Sequence, residues 1–136
     1  MYIDPETSKP YLPTPAYFLC CFDVYDREET LGVELEKYNP NIVVDREKLI
    51  LKYCMPMNRS YRQKFLLVEC LKCALQDEMY DFRSLFQYDP EAYCSFPDGW
   101  DEMVDSRAFF EDIYRIANVE WSAELNKAGL EDQTSW

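Results

Sequence analysis

The residues of this chain that could do chemistry are thiols and carboxylates. Cys70-Leu71-Lys72-Cys73 has the spacing of a metal or redox pair, and with Cys20-Cys21 it could assemble a four-thiolate zinc site. Redox pairs sit where a helix begins, so that the N-terminal dipole lowers the thiol pKa. This pair falls in the middle of a helical pattern, where a free cysteine behaves as a small hydrophobe, so core thiols are expected and neither a metal nor a cofactor is assigned. Asp101 with Asp105, and Glu111 with Arg115, stand at i, i+4 spacing. With 26 acids in 136 residues such pairs arise by chance, and most belong to solvated helix faces rather than to an acid–base dyad or a magnesium site. The chain has no histidine, which removes the commonest general base and every Ser-His-Asp or Cys-His nucleophile pair. No catalytic residue is assigned, and a non-enzyme is expected. A carboxylate- or thiolate-dependent metalloprotein is the competing class.

The segment Tyr88 to Asp112, YDPEAYCSFPDGWDEMVDSRAFFED, is more informative. It places Asp89, Glu91, Asp98, Asp101, Glu102, Asp105, Glu111 and Asp112 against the single cation Arg107, and interleaves Tyr88, Tyr93, Phe96 and Trp100. Carboxylates around aromatic anchors suit a binder of a basic surface: the rings give desolvated contacts, while the acids pair with Arg and Lys and accelerate association. The candidate contact residues are Asp89, Glu91, Asp98, Asp101, Glu102 and Asp105, with Tyr93 and Trp100 as anchors. The bland alternative is an acidic loop whose aromatics turn inward as core.

Charge placement agrees with a directed surface. Residues 1 to 76 carry 11 acids and 10 Lys+Arg, whereas residues 77 to 136 carry 15 acids against Arg83, Arg107, Arg115 and Lys127, so nearly all of the net −12 lies in the second part. Such asymmetry steers basic partners inward and repels nucleic acid and anionic membrane.

The elements that must position these residues read as helices. The chain is 48% hydrophobic with only three glycines, which argues against disorder and against a turn-rich β architecture; its length fits one domain with its own core. We expect a mainly α, single-domain bundle around a central buried helix at about 58–79, with Asn58 as its cap and Tyr61, Phe65, Val68, Leu75 and Met79 on one face. Four prolines in residues 1–15 predict an extended arm, on which Tyr2, Tyr11 and Leu12 could dock a partner in a regulatory module. Thr14-Pro15 opens a helix through Tyr25, Arg27 to Tyr38 is amphipathic, and Asp45 caps a helix over 46–53, with 42–44 open as a short strand. Residues 87–100 form the irregular segment, a last helix spans 106–127 with Gly129 behind it, and 130–136 should fray. No basic n-region opens MYIDPETSKP and no apolar run of about 18 residues exists, so a cytoplasmic protein with no membrane span is expected.

In size, acidity, lack of an export signal and the acid-plus-aromatic stretch Asp89 to Asp112, in particular Tyr93, Asp98, Trp100, Asp101, Glu102 and Asp105, the chain resembles a class of bacterial toxin-immunity proteins. These small acidic proteins protect a cell against its own secreted or contact-delivered toxins. The resemblance implies tight occlusion of a basic toxin, often a nuclease. A phage-encoded DNA mimic that inhibits a host nuclease is the near alternative, although mimics need charge spread along a long surface and the first 76 residues are nearly neutral.

Overall fold

The computed structural model describes residues 1–87, 91 and 94–136. Its elements are helical: α1 (Val33–Leu35), α2 (Val43–Leu49), α3 (Tyr61–Gln76), α4 (Ser106–Glu120) and α5 (Ser122–Gly129), joined by short 3₁₀ and π-helical turns. Among the described residues there is no strand; Ile3 and Pro10 form an isolated bridge. No helix is long and apolar enough to cross a membrane among these residues.

α3 is the central helix. It begins in a capping box: the Ser60 hydroxyl accepts from Gln63 N at 3.2 Å, and Gln63 Oε1 accepts from Ser60 N at 3.0 Å. Ser60, not Asn58, therefore caps it. Its buried stripe is Gln63, Lys64, Leu67, Val68, Leu71 and Ala74, a single face at i, i+3/i+4 spacing that packs on α4, on α5 and on the 3₁₀ helix Pro15–Phe22. Full burial of Leu67 and Leu71 stabilises by roughly 1.5–3 kcal/mol each. The helix stops at Gln76 rather than Met79 because Asp77 turns extended, and Arg107 takes up carbonyls there, donating to Leu75 O at 3.2 Å and Asp77 O at 2.8 Å. Met79 lies beyond the end, 88% exposed.

α4 supplies the opposing face with Phe109, Phe110, Ile113, Ile116 and Ala117 buried. The expected single helix over 106–127 is broken at Trp121, whose indole is buried and donates from Nε1 to Met55 O at 3.1 Å. α2 starts at Val43, so 42–44 is no strand; Asp45 lies inside the first turn and accepts from Asn39 N at 2.9 Å instead of capping. The arm does not extend: Tyr11 N donates to Tyr2 O at 2.9 Å and the chain doubles back, burying Tyr11 and half-burying Tyr2. Of the three arm residues expected to dock, only Leu12 stands exposed, at 69%. The tail makes contacts with the rest of the fold. Residues 133–135 form a 3₁₀ turn, Glu131 pairs with Arg62, and the Trp136 ring packs edge-on against Phe65 at 5.7 Å.

Candidate functional site

The acidic segment enters the fold through Asp23, whose Oδ1 accepts from Ser95 N at 3.0 Å while Val24 N donates to Ser95 O at 2.8 Å. Two residues on, Pro97 is buried and Gly99 adopts φ 88°, a left-handed conformation that glycine takes without a Cβ penalty. That turn starts the 3₁₀ helix Trp100–Glu102 and decides which side chains face which way. Trp100 points in; Asp98, Asp101 and Glu102 point out. Gln87 Nε2 donates to Asp101 O at 3.3 Å and Arg83 to Met103 O at 3.1 Å, fixing the segment against the preceding 3₁₀ helix, Arg83–Phe86.

Trp100 is thus corrected from surface anchor to core residue. It is 2% exposed and packs against Phe22 at 5.2 Å, Phe109 at 5.8 Å and Phe96, nearly parallel, at 6.5 Å. Aromatic rings of this size gain more from a close-packed apolar site than from water, and the Gly99 turn gives this one the path inward. Asp105 is exposed, but one of its carboxylate oxygens accepts from Ala108 N at 3.0 Å as the cap of α4. Glu91 is exposed. Asp89 and Tyr93 lie outside the described residues.

What the fold brings together is a cleft of about 440 Å³ between the helical turn at 28–36 and the 95–101 segment. Asp98 and Asp101 from the one segment and Glu28 and Glu36 from the other line it, together with Phe86 and Phe96. Glu28 and Glu36 were not among the sequence candidates. They fall on an ordinary charged face more than 60 residues upstream, and no local signal joins them to Asp98. None of the four carboxylates forms an ion pair among the described residues. Glu34, on the same turn but outside the cleft, is the contrast: its carboxylate accepts from Lys37 at 3.2 Å, which holds its pKa below the usual value.

Several cations of the chain are engaged elsewhere. Arg46 pairs with Asp112, Arg62 with Glu131, Lys64 with Glu124, and Arg115 with Glu47 and Asp112. Acids of the second half are therefore neutralised from the first half at the α2–α4 and α3–α5 seams, and the cleft keeps its charge.

Cys21 and Cys54 come together, both donating to Phe18 O at 3.4 Å, but Cys20-Cys21 and Cys70-Cys73 do not assemble into a four-thiolate site. Cys70 is half-buried and donates to Pro13 O at 3.3 Å, burial pushing its pKa up to about 11, whereas Cys73 is exposed on the same helix. Among the described residues no group of three or more Cys, Asp or Glu is placed to hold a metal ion. No protein-family model, curated protein or solved structure matches the chain significantly.

Proposed function

We propose that this protein neutralises a basic protein, a cognate toxin of nuclease type, by covering its active site or substrate-binding surface in the manner of a bacterial immunity protein. The observation that carries the reading is the cleft lined by Glu28, Glu36, Asp98 and Asp101, none with an ion pair among the described residues, together with Phe86 and Phe96. The grouped carboxylates stand in for substrate phosphates, and the charge of the cleft raises the encounter rate with a cationic surface. Glu102 and Asp105 extend the acidic rim beyond Asp101. The protein itself supplies no catalytic group to this role.

A comparison of two variants of equal charge tests the reading. In one, Glu28 and Glu36 become Gln and Asp98 and Asp101 become Asn; in the other, the exposed acids Glu29, Glu69, Glu78 and Glu120 become Gln. With a ten-residue arginine peptide as probe, the cleft variant should lose about tenfold or more in affinity relative to the control variant, and the difference should shrink as salt is raised. Equal loss in the two variants would mean that the cleft is not the recognition site.

A further inference from the structure

Tyr11 is 8% exposed, and its hydroxyl has no hydrogen-bond partner among the described residues. Buried polar groups are nearly always paired, because an unpaired donor forfeits its hydration without compensation. The ring is held edge-on by Tyr2 at 6.3 Å and Tyr17 at 5.9 Å, so the phenol cannot swing away to find an acceptor without breaking both contacts. It stands at a cleft of about 420 Å³ between the folded-back arm and the 3₁₀ helix Pro15–Phe22. Arg59, Tyr17, Asp4 and Cys20, the charged and polar groups that act on the phenol, all line that cleft with Tyr11. Burial pushes the phenol pKa up to about 12, against the opposing pull of Arg59, and the group is a protonated donor at neutral pH.

The same wall carries Lys9 and Arg59. Neither forms an ion pair among the described residues, and the Arg59 guanidinium lies 6.0 Å from the centre of the Tyr17 ring. Asp4 is the single acid on the wall, and its Oδ1 already accepts from Glu6 N at 2.9 Å. On a chain of net charge −12, two cations without ion-pair partners among the described residues beside a buried, unsatisfied O–H donor form a site of the opposite character to the acidic cleft.

We propose that this cleft binds a small molecule through an anionic oxygen group, a phosphoryl or a carboxylate, held by Arg59, Lys9 and the Tyr11 hydroxyl. The guanidinium fork offers two parallel donors to such a group, the ammonium adds a point charge, and the phenol supplies the third direction. The Tyr17 ring flanks the organic part of the ligand. The hydroxyl is shielded from solvent, and in this proposal the turn at 4–9, which brings Asp4, Thr7 and Lys9 to the cleft, shifts as the anion enters. That turn is closed by Asp4 N to Lys9 O at 2.8 Å and Ser8 N to Asp4 O at 2.7 Å, with Ser8 at φ 58°. The site prefers anions where the acidic cleft prefers cations, so the two are tested separately.

Calorimetric titration of the full chain with phenyl phosphate, benzoate and, as a neutral control, benzyl alcohol tests the proposal. At least one anion should bind saturably below about 10 mM, and the neutral alcohol should not. Arg59→Gln should weaken binding by about tenfold or more, and Lys9→Gln, at an exposed position, by about threefold. Tyr11→Phe should also weaken binding by about threefold or more while leaving the melting temperature unchanged or raised, since it removes the unpaired hydroxyl. Preference for phenyl phosphate identifies the phosphoryl class, and preference for benzoate the carboxylate class. The proposal is overturned if neither anion binds, if benzyl alcohol binds as well as they do, or if the Lys9 and Tyr11 variants bind unchanged.

Discussion

Arg46 donates from Nε to Asp112 Oδ2 at 2.6 Å, joining α2 to α4 across 66 residues of sequence. The two side chains are 9% and 17% exposed, and Arg46 also donates to Pro40 O at 3.3 Å. Removing one partner from a pair this shielded leaves an uncompensated charge. Asp112→Ala should therefore cost about 3–5 kcal/mol in urea unfolding. A loss below about 1 kcal/mol would mean that the guanidinium rehydrates and that the α2–α4 seam rests on apolar packing alone.

The start of α3 is a second, smaller test. Ser60→Ala removes the oxygen that accepts from Gln63 N and should cost about 1 kcal/mol. Asn58→Ala, the position that sequence alone favours as the cap, should leave the unfolding midpoint unchanged. The reverse ranking would place the helix start two residues earlier.

These two cases show what the sequence made legible. Helical content, the central helix and the turn at Asp98-Gly99 follow from local signals: apolar spacing, Pro and Gly placement, and short polar residues before apolar runs. Spacing alone does not identify the covered face of α3, because apolar residues fill much of its circumference: Leu67, Leu71 and Ala74 are buried in the bundle, whereas Met79 lies exposed beyond its end. Proline and polar composition are local signals and predict a loose arm and tail, whereas the contacts that seat Tyr11 and Trp136 come from Tyr2, Tyr17 and Phe65. For the candidate site, Asp98 and Asp101 were visible as acids in a turn. Glu28 and Glu36 were not, because pairing across more than 60 residues is set by tertiary packing.

The reassignment of Trp100 separates stability from recognition within one short segment. Trp100→Ala empties a site bounded by Phe22, Phe86, Phe96 and Phe109 and should cost about 3–5 kcal/mol by thermal or urea unfolding. Asp98→Asn with Asp101→Asn removes only exposed charge that lacks a cationic partner among the described residues, and should shift stability by no more than about 0.5 kcal/mol. If the tryptophan variant kept full stability, the ring would have to be displaced from the core.

The tail supplies a pH dependence. Glu131 accepts from Arg62 Nε at 3.0 Å and Nη2 at 3.1 Å and from the Tyr61 hydroxyl at 2.9 Å, and the Arg62 hydrogen bonds foremost hold its pKa below the ordinary 4.5. A carboxylate whose folded pKa is depressed contributes stability that is present above its unfolded pKa and is lost as pH falls through the folded value. At pH 7 Glu131→Gln should therefore melt below the wild type. As pH is lowered past 4.5 the wild type loses this contribution and the variant does not, so the two melting curves should converge. Raised salt should narrow the gap at pH 7, because the Arg62 and Glu131 side chains are 36% and 29% exposed and open to screening. Melting temperatures across pH 3 to 7, roughly, check this, and a gap that persists undiminished at the acid end would assign the effect to packing of the side chain rather than to its charge.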